Sequence, residues 1–394
     1  IQRHVKLQTG DAWNIRLIEE SRRELLKLGG FSQVEIGSLD GDLGGTVEAL
    51  VVRVVERPRL TFDAGGGANS EYGLHVFGEA IENGLFSDGR NLALRVDGYY
   101  DLLRDEVTKG VASLQYSDPF VFDSAYNFTS DLRFQKINLS TQEFDLNRGS
   151  LASYFYRSLE DHRAITFGHT FLQDNLSDVN PGAIISDLDT GVVRISFLSG
   201  SIIYDQQDDP VNPMEGHKIT GNIKLASDAF GSEANFIGLG GRTALRTPFF
   251  IRDLPFTFAF NTQIESSWGF GGTDEIPITQ RYYLGGRNSI RGYSENSLGP
   301  RGQDDAVIGG DLLFANNLEL RYRYTRNLIL LTFVDAGTVF LKQRSIALND
   351  MRESVGVGMR YLSPIGPIGF DIGHPLNQTN EPIVRVDFNI GSNF

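Results

Sequence analysis

The segment LELRYRY, Leu318 to Tyr324, alternates strictly, with Leu318, Leu320, Tyr322 and Tyr324 on one side and Glu319, Arg321 and Arg323 on the other. A period of two belongs to an extended strand, whose successive side chains leave opposite faces. VRVDFNI, Val384 to Ile390, repeats the pattern: Val384, Val386, Phe388 and Ile390 oppose Arg385, Asp387 and Asn389. So do Val355, Val357, Met359 and Tyr361 against Gly356, Gly358 and Arg360, and Leu92, Leu94 and Val96 against Ala93, Arg95 and Asp97. A soluble sandwich also alternates. Here charges of both signs recur on the polar face of strand after strand, while the other face stays aliphatic and aromatic. That is the pattern of a membrane barrel around a wet lumen.

From Leu60 onward, segments of roughly ten residues recur between turn residues, the length a tilted strand needs to cross a bilayer. Candidate strands cover 60–68, 72–81, 90–100, 107–117, 125–136, 148–160, 162–173, 192–205, 215–229, 233–248, 255–266, 311–325, 328–340, 351–363, 367–376 and 382–393. These sixteen, an even number, predict an all-β membrane protein with a 16-stranded antiparallel transmembrane barrel over 59–394. Composition agrees: 44 glycines, 27 phenylalanines and 14 tyrosines against three methionines favour strands, turns and aromatic girdles. No run of about 18 apolar residues exists, so no transmembrane helix is expected, and a spanning chain must be a barrel that satisfies its own backbone. A formal charge of -14 argues against a nucleic-acid partner, and the absence of cysteine excludes disulfides and thiolate metal sites.

Residues 1–58 differ. Asn14 to Leu28 reads as an amphipathic helix with Ile15, Ile18, Leu25 and Leu28 inward, a Glu19–Arg23 pair, and Gly29-Gly30 as its stop. Strands are expected over Phe31–Gly37 and Thr46–Glu56, giving part of a small α+β module that ends at Arg57-Pro58. Nothing at Ile1 reads as a signal peptide, so the chain is expected to be a mature fragment.

Connections are short at Phe249–Leu254 and Thr325-Arg326-Asn327, which predicts the periplasmic side, and long at Asp174–Gly191 and over 267–310, which predicts the outside. The longest, the sixth outer loop, contains QRYYLGGRNSIRGYSENSLGP, Gln280 to Pro300. Gly285, Gly286, Gly292, Gly299 and Pro300 break any ladder, yet Tyr282, Tyr283, Leu284, Ile290 and Tyr293 are too apolar for a solvated linker. Such a loop should pack inside the barrel.

Several motifs, in order, resemble one family: the outer-membrane protein assembly and translocation barrels typified by BamA and TamA. Ile290-Arg291-Gly292-Tyr293 is similar to the family's sixth-loop motif. Phe333-Val334-Asp335-Ala336-Gly337 is similar to its thirteenth-strand motif. Gly356 to Arg360 running into Ser363-Pro364-Ile365-Gly366-Pro367 and Phe370-Asp371 resembles a third element. Tyr204-Asp205 with Asp208-Asp209-Pro210, Pro213 and Gly216 resembles the turn before strand nine, and Phe388 to Phe394 resembles a terminal β-signal. The first 58 residues resemble the last POTRA domain, with Gly29-Gly30-Phe31 leading into its strand. The ending at Phe394 and Asn296 to Pro300 look BamA-like, whereas the short stretch after Pro300 looks TamA-like.

The resemblance implies an outer-membrane location with the POTRA module in the periplasm. It implies a barrel that is itself monomeric, with the lipid bilayer, nascent outer-membrane proteins and accessory lipoproteins or periplasmic chaperones as partners. Function would be insertion of outer-membrane barrels through a lateral gate between the first and last strands. Gate residues would be Gly65, Gly66, Gly67, Phe388, Gly391 and Phe394, though three glycines also suit a bulge. Asn389 is expected opposite Ala64 or a neighbour. A loop lock would join Ile290, Arg291, Gly292 and Tyr293 to the barrel, with Asp335 and Asp371 as candidate partners for the guanidinium.

A pore of two-partner secretion type shares this fold; a passive porin predicts neither the first module nor an arginine-bearing lumen loop. No nucleophile elbow, metal-ligand spacing or phosphate loop is found, so no cofactor, no metal and no enzymatic activity are expected. His162 and His169 read as isolated residues, Gly238 to Gly241 as part of a strand, and Asp187-Leu188-Asp189 as a solvated acidic turn.

Overall fold

The computed structural model describes residues 1–27, 30–38, 49–85, 89–138, 142–159, 162–210, 212–341, 350–364, 366–377 and 382–391. Several expected features lie outside those residues: Leu28 and Gly29 at the helix end, 46–48 at the start of the second expected strand, Ile365, and 392–394 with the terminal Phe394.

A helix, α1 (Ile15–Lys27), precedes two antiparallel strands, β1 (Phe31–Ser38) and β2 (Leu50–Glu56). Asn14 caps the helix by accepting the backbone N–H of Arg16 at 3.0 Å. Ile18, Leu25 and Val34 are buried, but Ile15, expected to face inward, is 70% exposed because it stands on the first turn. Glu19 pairs with Arg22 at 3.3 Å rather than with Arg23, whose Nε bonds the Glu19 carbonyl. Arg22 is drawn to that side because its Nε also donates to the carbonyl of Val34 on β1.

The barrel strands are β3 (Leu60–Asn69), β4 (Gly73–Leu85), β5 (Arg90–Asp101), β6 (Glu106–Asp118), β7 (Asn127–Ile137), β8 (Asp145–Ser158), β9 (Arg163–Ser177) and β10 (Gly191–Asp205). They continue as β11 (Gly216–Ala226), β12 (Phe236–Ile251), β13 (Leu254–Gly269), β14 (Leu312–Arg323), β15 (Leu328–Phe340), β16 (Arg352–Ser363), β17 (Gly366–Pro375) and β18 (Arg385–Ile390). These sixteen pair in chain order, each antiparallel to the next, and β18 returns to β3 to close the barrel. Closure satisfies ladder groups that an open edge would leave bare in lipid.

Alternation sorts the side chains as the sequence demanded. Val76, Leu94, Val96, Val334 and Val357 point outward and are exposed, whereas Asp97, Glu319, Asp335, Asp371 and Asp387 point inward and are buried. Inward charges meet partners one step along the same strand or across the lumen face, as in Arg95–Asp97 (2.8 Å), Arg148–Asp174 (2.6 Å) and Arg385–Asp387 (3.0 Å). An apolar exterior with a neutralised polar interior inverts the usual order of a soluble protein and fits a lipid solvent.

Two connections differ from expectation. The short link Phe249–Leu254 contracts to Arg252 and Asp253, and Pro248 and Pro255 join the ladder opposite Thr257 and Phe250. Both turn residues have positive φ (48° and 64°), the twist that lets a two-residue turn match two right-twisted strands. At the closing seam, Asn389 faces Asn69, not Ala64, and Ile390 faces Ala68. Gly65, Gly66 and Gly67 are instead paired with Phe77, Val76 and His75 on β4.

Because Val334 faces outward in mid-strand between Leu318 and Val355, Val334→Arg should destabilise the barrel in lipid vesicles by about 2–4 kcal/mol. Urea unfolding in phosphatidylcholine bilayers checks this; an unchanged midpoint would place Val334 away from the hydrocarbon.

Candidate functional site

The loop between β13 and β14 folds back against the inner wall. Tyr282 bridges to Gly310 and Leu284 to Leu298, so the excursion is a tied hairpin-like fold rather than an open coil. Ile290 and Tyr293 are fully buried and share an apolar cluster with Leu284, Leu298, Leu313, Ala315 and Val339. Gly292 adopts φ +90° and its Cα lies against Gly373 of β17, where a Cβ on either residue would strike backbone of the other segment. The motif's glycine is thus the point of closest approach between loop and wall.

That approach delivers Arg291 to the inner faces of β14, β15 and β17. Its Nε and Nη2 donate to the two oxygens of Asp335 at 2.7 and 2.8 Å, and its backbone N–H adds a third bond to the same carboxylate at 3.1 Å. Nη1 donates to Glu319 at 2.6 Å, while Asp371 stands 3.8 Å away and hydrogen-bonds Arg360 instead at 2.9 Å. The guanidinium lies over Phe333, 3.7 Å from the ring centre, and that ring crosses Gly356, where a Cβ would strike it. Of the two expected partners, Asp335 makes the bidentate pair and Asp371 contributes only field. Glu319 was missed, although its inward register in LELRYRY beside the thirteenth-strand motif offered the signal.

Further along, Tyr293 donates to the Glu353 carbonyl at 3.0 Å and Arg385 of β18 donates to the Ser294 hydroxyl at 3.0 Å, so the loop reaches the last strand. Glu295 is half-buried, with Oε2 enclosed and lacking a hydrogen-bond partner among the described residues. Burial, with the Glu71 and Asp387 carboxylates adding and Arg385 opposing, pushes its carboxyl up to about 8.

A second buried guanidinium went unread. Arg281 donates from Nη2 to both oxygens of Asp189 at 2.8 and 2.6 Å, and from Nε and Nη1 to the carbonyls of Ile276 and Ile308. Asp189 also accepts the backbone N–H of Ile185, Ser186 and Ile278, so this carboxylate of the turn expected to be solvated is fully buried, while Asp187 is exposed. Around it Ala183, Ile276, Ile278, Ala306 and Ile308 form a core with Phe236 and Val193. The connections after β9 and β13 therefore pack into a cap with an interior of its own.

At the seam, β18 and β3 share two residue pairs among the described residues, Asn389 with Asn69 and Ile390 with Ala68, supplemented by Ser70 N–H to the Phe388 carbonyl at 3.1 Å. Gly67 abuts the Ile390 carbonyl, and Gly391 leaves the ladder with φ +103°. Phe388 faces outward and is paired with Phe370 of β17, not with β3.

The Omp85 superfamily domain matches residues 88–394. The chain belongs to that superfamily. Over its full length it is 22% identical to the outer membrane protein assembly factor BamA of Neisseria meningitidis and 24% identical to BamA of Neorickettsia risticii. It covers 54% and 53% of those proteins, so it spans about half the length of these curated relatives. BamA from Haemophilus ducreyi lacking POTRA domains 1-3 superposes with a TM-score of 0.78 at 19% identity, over 100% of this chain and 81% of that one. CdiB from Acinetobacter baumannii superposes at 0.61 with 16% identity, over 98% and 70% of the two chains. These structures attest the fold. As an Omp85 barrel the protein resides in the outer membrane of a Gram-negative bacterium, with its short turns on the periplasmic side and the cap outside.

Two outcomes follow. Arg291→Ala strands the buried Asp335 carboxylate, while Glu319 keeps its pair with Arg321, and should cost about 3–5 kcal/mol, releasing the loop to added protease; Arg291→Lys should rescue only part, since an ammonium cannot make the fork. Unchanged protection of the loop in the alanine variant would remove the lock. For Glu295, the docked carboxyl titrates near 8 and a released one near 4.5, so the docked loop holds the extra proton. Docking should then weaken as pH rises from about 4.5 to about 8, read by hydrogen exchange of 285–298 corrected for intrinsic rates, and Glu295→Gln should flatten the profile.

Proposed function

We propose that this barrel folds and inserts other outer-membrane β-barrels, by parting laterally between β18 and β3 so that an incoming strand pairs with the exposed edge. The weak seam carries this reading. Every other neighbouring pair in the barrel shares six or more residue pairs, while this one shares two among the described residues. Few ladder bonds oppose opening there, and an exposed edge is a template for strand addition. The free energy comes from the substrate, whose backbone gains its partners and whose apolar face gains lipid. No chemical step is required of the protein, in keeping with a non-enzymatic role.

In this reading α1, β1 and β2 are the end of a POTRA domain that receives substrate in the periplasm, accessory lipoproteins or chaperones deliver it, and the barrel works as a monomer. The locked loop keeps β14, β15 and β17 rigid and, through Arg385 and Ser294, braces the side of the seam that must stay folded. A TamA-type assembly role shares all these features. Passage of a soluble passenger through the lumen is the second reading, favoured by the likeness to CdiB.

Since the chain has no cysteine, Asn69→Cys with Asn389→Cys can form only one intramolecular bond, across the seam. The oxidised double variant should lose insertion of a model barrel into vesicles and regain it on reduction. If oxidation blocks nothing, the lateral route fails; if the locked barrel still exports a soluble passenger, the lumen reading replaces it.

A further inference from the structure

The β5–β6 hairpin ends outside in Leu102 and Leu103, which are 66% and 97% exposed. Two leucines at a hairpin tip are unusual where a polar turn would serve, and this tip is built to present them. Asp101 accepts the backbone N–H of Leu103 at 2.8 Å and of Arg104 at 3.3 Å, and Arg104 lies 3.8 Å from the same carboxylate. Tyr100 donates to Asp105, whose φ of 61° completes the turn. The polar groups are thereby spent on one another, and the two side chains project free of them.

Height decides what they meet. The 12 residues of β5, at about 3.3 Å each and a tilt of about 40°, rise roughly 30 Å from the periplasmic end, close to the top of an apolar band about 25 Å tall. The 16 residues of β12 or β13 rise roughly 40 Å on the same reckoning, so the cap on that side stands well clear of lipid. The leucines also continue the lipid-facing surface without a break. Tyr100 is paired with Leu74 on one side and Val107 on the other, and Leu74, Val76 and Val107 are all exposed outward.

We propose that Leu102 and Leu103 insert into the outer leaflet and moor the strands on the β3 side of the seam to the membrane. The acyl-chain region of the leaflet is the partner, with Arg104 at the level of its phosphates. This is independent of what the barrel transports, because it concerns only where the hairpin lies.

Leu103→Cys creates a unique thiol, there being no other cysteine, and is labelled with an environment-sensitive fluorophore. Asp304→Cys, on the exposed crest of the cap, is the control. In vesicles of phosphatidylcholine and phosphatidylglycerol, nitroxide-bearing acyl chains should quench the Leu103 label strongly and iodide weakly, with the order reversed for Asp304. Circular dichroism confirms that each labelled barrel is folded, and Leu102→Cys repeats the measurement should either variant misfold. Equal iodide access at both positions overturns the proposal. So does protection at Leu103 that vanishes when the protein is diluted in lipid, which would assign the tip to a second copy of the chain.

Discussion

A guanidinium removed from water must be met by carboxylates in the right plane, and this barrel meets that demand with Arg291 held between Asp335 and Glu319. A loop carrying a buried charge has one favourable position and no neighbouring ones, since a shift of an ångström or two takes the Arg291 guanidinium off the Asp335 carboxylate. The tight backbone approach of Gly292 to Gly373, the ring of Phe333 lying across Gly356 and the burial of Ile290 and Tyr293 all presuppose that position. The apolar cluster alone could tolerate slippage; the ion pair cannot.

The lock and the seam divide the barrel mechanically. On the side of β14 to β17 the wall is braced from within by loop, ion pairs and cluster. The seam beyond β18 has two residue pairs among the described residues and no side-chain lock comparable to Arg291 among them, although Ser70 donates to Asp387 at 3.0 Å. Rigidity next to a weak joint concentrates any opening at that joint. The buried Arg281–Asp189 pair does the same for the outer cap, tying the connection after β9 to the one after β13.

How legible all this was in the sequence depended on the range of the interaction. Alternation is local, so LELRYRY and VRVDFNI disclosed strand, lumen face and lipid face together, and the order of sixteen strands followed. Arg291 and Asp335 were legible because each lies in a motif that resembles one of the family's, and a guanidinium in an apolar, glycine-broken loop calls for a carboxylate partner. Asp189 was not. A carboxylate in a turn beginning Ser186-Asp187 has the local appearance of a solvated cap, and its burial arises from Arg281, which the chain reaches only after four further strands. Register at the seam was likewise invisible, since it is fixed by closure of the whole ring and not by the hydrophobic pattern of β3, whose glycines give little pattern to read.

Glycine content in β3 therefore has a meaning different from the one its sequence suggested. Gly65, Gly66 and Gly67 are closely packed: Gly65 receives the ring of Phe77, Gly66 the carbonyl of His75, and Gly67 lies against β18 at the carbonyl of Ile390, with Gly391 set beside the Gly66 carbonyl. Gly65 and Gly66 thus bring β3 close to β4, and Gly67 sets the distance between β3 and β18. A larger residue at Gly67 would strike the Ile390 carbonyl and push β18 away, whereas one at Gly65 would displace the lumen-facing ring of Phe77 on β4. The contacts of β3 across the seam gather at its Ala68 end, where the ladder with β18 lies, while the whole of β3 is paired with β4.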